Sequence, residues 1–257
     1  LHLGFLLCMI FFNVFLYFFS NCDRNYFLYL VYLIPFWLFN IAQLGYGHEL
    51  FWPNHPEFSY PVLMLVSFLW GIGLSSFTGS FLNLKSESLR MSRVNQFFVW
   101  LYIAGFLLEI LALFTMTSFG RDLELIIFSL GIGLFPIYCI YALIAAYRVY
   151  RKGYRPARFY LIAFSVFLIV LVIIILLSFD LINLDNLLLF YIFIIASVVE
   201  VLLINLALFD KQILERKAFR REISLRSEML EKANKAYFRF VPKSFIKELG
   251  KASIEDV

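Results

Sequence analysis

The chain has 257 residues, of which 62% are hydrophobic and 16% charged, with a formal net charge of +4. A soluble domain averages about 45–50% apolar and about 25% charged residues. This balance excludes a disordered chain, a disulfide-rich secreted module and an ordinary soluble enzyme, and it points to an integral membrane protein.

A bilayer core of about 30 Å needs roughly 20 apolar residues of helix. Seven stretches qualify, at 1–19, 26–44, 61–82, 97–117, 123–147, 159–178 and 187–209. The predicted fold class is an all-α membrane protein, a seven-transmembrane helix bundle. A transmembrane β-barrel would alternate over segments of about ten residues, whereas these runs are longer and apolar all round. The first run has no basic start and no small-residue cleavage site, so it reads as a span rather than a signal peptide. The chain begins with Leu rather than Met and is expected to be a fragment of something longer. Cys8, Cys22 and Cys139 are too few and too scattered for a disulfide framework, and no zinc spacing is present.

After the first span comes a polar break from Ser20 to Asn25, and then a span interrupted by Pro35, where a kink is expected. The segment from Gly45 to Glu57 is the richest polar feature on its side. His48 and His55, with Glu49 and Glu57, could bind a metal but lack tight ligand spacing. Trp52, with Phe51, Phe58 and Tyr60, reads more simply as an interfacial aromatic belt. Either way His48, Trp52 and His55 form the candidate outer loop, which could also dock an extracellular domain. The third span carries Gly71, Ser75 and Gly79, with Ser76 and Ser80 one position on. Small residues every four positions let another helix approach closely. Packing within one bundle is the preferred reading, and a dimer contact is the alternative. Pro136 interrupts the fifth span.

Glu109 and Glu200 are the only acids deep in the spans. A charge at the bilayer centre costs about 2.5–3.5 kcal/mol or more, and no Lys or Arg lies at similar depth. Protonation or hydrogen bonding is expected, with Asn13, Asn40, Gln43 or Asn205 as partners. Glu109, Glu200 and Asn205 are therefore the candidate intramembrane polar hub, either a static contact or one that two packings satisfy differently. A proton pathway would need an aligned chain of acids. The last span has no Lys for a retinal Schiff base, and all three His lie near one face. No catalytic, cofactor-binding or metal-binding residue can be assigned.

Lys and Arg divide unequally among the breaks. The first, third and fifth hold nine, the segment from Lys211 onward holds 12, and the second, fourth and sixth hold only Arg121. By the positive-inside rule the N-terminus is outside and the C-terminus cytoplasmic, in the inner (cytoplasmic) membrane. The excess charge sits in the tail, where it favours an anionic leaflet and gives no separate case for nucleic acid.

The last span runs into a charged helical segment from Asp210 to about Phe238 with no Gly or Pro between. A heptad places Phe209, Arg216, Ile223, Leu230 and Tyr237 at one seam position and Phe219, Ala233 and Phe240 at the other, with Gln212 and Arg226 as polar interruptions. Phe219, Ile223, Leu230 and Tyr237 are the candidate seam of a weak parallel homodimer. A single amphipathic helix on the membrane is the alternative. Glu228 with Lys232, and Glu231 with Lys235, are expected i,i+4 pairs. Pro242 then ends the helix. The predicted divisions are a sensory and transducing domain at 1–209, a cytoplasmic signalling helix at 210–238 and a linker at 239–257.

Several motifs carry a family resemblance. They are Asn13-Val14-Phe15-Leu16-Tyr17, Asp23-Arg24-Asn25-Tyr26-Phe27-Leu28-Tyr29, Gly45 with Leu50-Phe51-Trp52-Pro53, Phe77-Thr78 with Phe81-Leu82, Gly153 to Tyr160, and Glu200 with Asn205-Leu206-Ala207-Leu208. In order and spacing, over nearly all of residues 1–215, the chain resembles the bacterial seven-transmembrane receptors with diverse intracellular signalling modules. The ending, Phe238-Arg239-Phe240-Val241-Pro242 with Phe245, Leu249-Gly250 and Asp256-Val257, resembles the lead-in to class III adenylate/guanylate cyclase domains. The resemblance implies a cyclase beyond Val257, with Mg and ATP or GTP as its metal and substrate, and a ligand-binding outer domain before Leu1. Its implied function is signal transduction across the lipid bilayer. A transporter or channel is the competing class. It would want an inverted repeat and a polar midplane site, and neither is evident. A kinase, phosphatase or diguanylate cyclase output is a further alternative.

Overall fold

The computed structural model describes residues 1–20, 22–51, 53–55, 58–115, 118–178 and 185–238. The elements, all helical among the described residues, are α1 (His2–Phe19), α2 (Arg24–Gln43), α3 (Tyr46–Phe51), α4 (Ser59–Phe81), α5 (Leu84–Glu87), α6 (Leu89–Thr115), α7 (Ser118–Arg151), α8 (Ala157–Ser178) and α9 (Asn186–Phe238). Seven of them (α1, α2, α4, α6, α7, α8 and α9) are long and apolar enough to cross a membrane. The expected all-helical bundle is therefore the observed one.

The helices outrun the apolar stretches. α6 starts at Leu89, eight residues before the expected span, and carries Arg90 and Arg93 exposed on its first turns. A charge ends a membrane crossing but not a helix, because long basic side chains reach water while their stems cover the backbone. Likewise the segment between α2 and α4, read as a loop, includes the short helix α3, which follows Gly45. α2 and α7 continue through Pro35 and Pro136. The start of α2 is fixed by Asp23, whose carboxylate accepts the Asn25 N–H at 2.8 Å. Between α7 and α8 the chain turns at Gly153, with φ +98°, a conformation that glycine adopts without Cβ strain.

By their internal contacts the residues fall into two units, Leu1–Phe209 and Asp210–Val257. In the first, α2 and α4 form the most extensive backbone-close pair, followed by α4 with α6, and α7 with α8. Chemistry at the α2–α4 contact explains its closeness. Pro35 has no N–H, so the Val31 carbonyl loses its ordinary helical donor. Gly73 lies against that carbonyl: a Cβ there would be 2.3 Å from Val31 O and 2.7 Å from Tyr32 Cα. Only a glycine lets α4 come so near. Gly71 and Gly79 turn toward α6, where a Cβ would meet the Tyr102 ring and the Asn95 amide. The small-residue stripe is thus used inside the bundle. α7 contributes buried Ala142, Ala145 and Ala146 to the core, and α8 contributes Ala157 and Ala163.

The core is unusually rich in tyrosine. Tyr26, Tyr29, Tyr32, Tyr138 and Tyr160 are all buried, with Phe36, Phe77, Phe81 and Phe164 packed among them. Large apolar groups such as Phe11, Phe15, Trp100, Leu111 and Phe114 point outward. On a soluble protein such a surface would be a liability, but in a bilayer it is the solvent-facing side.

Candidate functional site: the polar contact between α2 and α9

α9 differs from the other spans in how it is held. Among the described residues it has no helix partner at the backbone approach seen for α2–α4 or α7–α8. Yet Ser197, Glu200, Val201, Ile204, Ala207 and Leu208 on it are buried. Long side chains from the neighbouring helices bridge the gap.

The centre of that bridge is a line of tyrosines on α2. Tyr26, Tyr29 and Tyr32 recur every three residues and so share a face. Tyr32 donates its hydroxyl to Glu200 Oε1 at 2.7 Å. Tyr29 donates to the Val201 carbonyl at 3.3 Å and accepts from Asn205 Nδ2 at 3.0 Å. The Tyr29 and Tyr32 rings stack with centroids 5.8 Å apart, and both pack on Phe77 of α4. At the N-terminal end of α1, His2 Nε2 lies 3.2 Å from Asn40 Oδ1 and 3.4 Å from Ser197 Oγ, so α1, α2 and α9 also meet there.

This cluster is only partly satisfied. Glu200 Oε2 and Asn205 Oδ1 are buried with no hydrogen-bond partner among the described residues, and no cation pairs with Glu200. A buried acceptor left unpaired costs about 1–3 kcal/mol.

A separate polar chain ties α4, α6, α7 and α8 together. Thr78 Oγ1 and Tyr160 Oη are 2.7 Å apart. Asn95 Nδ2 donates to the Ser75 carbonyl at 2.9 Å and its Oδ1 accepts from the Tyr138 hydroxyl at 3.2 Å. Here Ser75, a member of the small-residue stripe, contributes its backbone carbonyl as well as its size.

A family model described as 7TM diverse intracellular signalling matches residues 1–211. The chain belongs to that family. It is a multi-pass membrane protein of a signalling family. No curated protein and no solved structure gives a significant match.

Within this 7TM diverse intracellular signalling bundle the candidate hub residues are placed as follows. Glu200 and Asn205 lie on α9, one turn and a residue apart, and are joined to α2 through Tyr32 and Tyr29. Glu109 is fully buried on α6. The amides expected to serve Glu200 are otherwise engaged. Asn13 donates to Met9 O at 2.8 Å and Asn40 to Phe36 O at 2.7 Å, each on its own helix, and Gln43 is exposed. Tyr32 takes their place. Composition alone counts tyrosine as apolar inside a span; its three-residue spacing with Tyr29 and Tyr26 is the signal that marks it as a bridging group.

In the segment between α2 and α4, His48 lies in α3, and His55 packs on Phe58 with ring centroids 5.7 Å apart. Trp52 lies outside the described residues. Among the described residues no group of three His, Cys, Asp or Glu is placed to hold a metal ion. In the tail, Phe219, Ile223 and Leu230 are exposed along α9, while the side chain of Tyr237 lies outside the described residues. Lys235 pairs with Glu231 as expected, and Arg226 pairs with Glu222 at 2.7 Å; Glu228 and Lys232 form no such pair. The Lys235 ammonium holds the Glu231 carboxyl below the usual carboxylate range. The cyclase-like ending, 239–257, also lies outside the described residues.

Proposed function

We propose that this chain is the transmembrane sensory and relay part of a receptor, with its N-terminus outside and its C-terminus in the cytoplasm of the inner membrane. The basic residues support that orientation: all but Arg121 fall on one set of alternating breaks and in the tail. A ligand, or an outer domain carrying one, favours one packing of the bundle, and α9 responds. Phe219, Ile223, Leu230 and Tyr237 form the seam of a parallel dimer that carries the response to a class III cyclase. That cyclase uses Mg and ATP or GTP and releases a cyclic nucleotide.

The observation that carries this reading is the set of tyrosine hydrogen bonds joining α9 to α2, where α9 has no backbone-close helix partner among the described residues. Coupling between sites amounts to about 1–3 kcal/mol. A hydrogen bond contributes about 0.5–1.5 kcal/mol net, and an orphaned acceptor costs about 1–3 kcal/mol. Exchanging one or two such bonds is therefore on the scale of a receptor response. Unbroken helical structure from Asn186 to Phe238 supports a mechanical relay.

The test uses the full-length gene product. Two residues inserted near Ala218 rotate everything beyond by about 200° and destroy the heptad phase. Seven inserted residues restore it. The two-residue insert is expected to lock or abolish ligand-dependent cyclic nucleotide production, and the seven-residue insert to keep it. Unchanged regulation in the two-residue insert would defeat the relay.

A further inference from the structure

A groove of about 990 Å³ opens on the bundle surface beside the last turns of α7, between the start of α6 and the first turns of α8. Its wall is apolar, formed by Leu143, Ile144 and Leu161, and its mouth carries Arg148, Arg151 and Lys152. Ile144 and Arg148 are one turn apart, about 6 Å along the helix. Apolar and basic zones are thus stacked along α7, with the apolar zone toward the middle of the bilayer and the basic zone toward its edge.

The cations of the mouth are not equivalent. Lys152 Nζ is held by Glu87, 2.7 Å from Oε2 and 3.2 Å from the carbonyl oxygen. Arg148 and Arg151 are exposed and make no ion pair or side-chain hydrogen bond among the described residues. With Glu87 included, the mouth keeps a net charge of +2. Two guanidinium forks one turn apart suit a phosphodiester, which each can bind through paired N–H groups.

We infer that this groove holds one anionic phospholipid, with an acyl chain along Leu143, Ile144 and Leu161 and the headgroup phosphate between Arg148 and Arg151. A soluble phosphate would satisfy the mouth and leave the wall unused. A zwitterionic lipid would bring an ammonium group against two arginines. An anionic lipid matches both zones. Which leaflet supplies it follows from the orientation proposed above. The binding itself depends neither on that orientation nor on the output domain.

The test is native mass spectrometry of the protein released from vesicles of equimolar phosphatidylglycerol and phosphatidylethanolamine. The unmodified protein should retain one phosphatidylglycerol in preference to phosphatidylethanolamine, and millimolar inorganic phosphate should not displace it. R148A/R151A should weaken retention about thirtyfold, from two basic contacts near the membrane surface. R148K/R151K should keep most of it. I144W, which fills the wall and leaves the charges intact, should also lose it. R155A, an exposed arginine outside the groove, should have no effect. Equal retention of the two lipids would overturn the proposal. So would an R155A loss matching that of R148A/R151A, or displacement by inorganic phosphate.

Discussion

Replacing Gly73 by Ala puts a methyl group 2.3 Å from the Val31 carbonyl oxygen and 2.7 Å from the Tyr32 Cα. A close but ordinary carbon–oxygen contact is about 3.3–3.6 Å, so α2 must retreat from α4 by about 1 Å. Both obstacles are backbone atoms, and neither can rotate aside. Overpacking of this kind costs about 1–3 kcal/mol. The retreat also carries Tyr32 and its hydrogen bond to Glu200, which contributes about 1 kcal/mol more. Against this, Ala in a helix gains about 1 kcal/mol over Gly. The net loss expected is about 1–3 kcal/mol. Gly133→Ala is the control, because nothing lies within 4 Å of its Cβ position. It should be neutral or stabilising by up to about 1 kcal/mol. Gly71→Ala should fall between the two, since the atoms nearest its Cβ belong to the Tyr102 ring, a side chain, and not to backbone. Reversible unfolding in mixed micelles, followed by tryptophan fluorescence, measures all three. If G73A unfolds at the same denaturant fraction as the unmodified protein, or later than G71A, the close α2–α4 contact does not exist in the membrane.

Two further predictions concern α9 and the orientation. Tyr32→Phe should lower stability in the same assay by about 1–3 kcal/mol, because Glu200 Oε1 loses its donor in a buried site; Glu200→Gln keeps an acceptor and should be mild, and complete loss of folding in E200Q would show that the carboxylate itself is needed. Cys22 is exposed and free at the break between α1 and α2, Cys8 is exposed and free within α1, and Cys139 is buried. In a Cys8→Ala background a membrane-impermeant maleimide should therefore label Cys22 only after the membrane is opened, and labelling in intact cells would reverse the assigned orientation.

The spans were legible because each is a run of apolar residues of bilayer length, and length is what the membrane imposes. Helix ends were less so, as Arg90 and Arg93 show: they stop the apolar run but extend the helix. Glu200 stood out as an acid deep in an apolar span, yet its partner did not. Tyr32 lies 168 positions away, and which faces of two helices meet is not encoded in the period of either one. The glycines divide in the same way. Gly71 and Gly79 fit a four-residue stripe readable from sequence. Gly73 falls outside it, and its role appears only when Pro35 on another helix is seen to free a carbonyl beside it.

These two kinds of contact assign different mechanical roles. Where Gly73 lets backbones meet, many small dispersion contacts change together, and any displacement loses them all. Where tyrosines span a wider gap, a shift of α9 exchanges directional bonds along with the apolar contacts of Val201, Ile204, Ala207 and Leu208, and rotamer changes of the long side chains can follow it. Bundle motion should therefore concentrate at the α2–α9 contact, while α2, α4 and α6 move as one body. A signal arriving on α1 or α2 needs only to bias that exchange; it does not have to separate helices that are packed backbone to backbone.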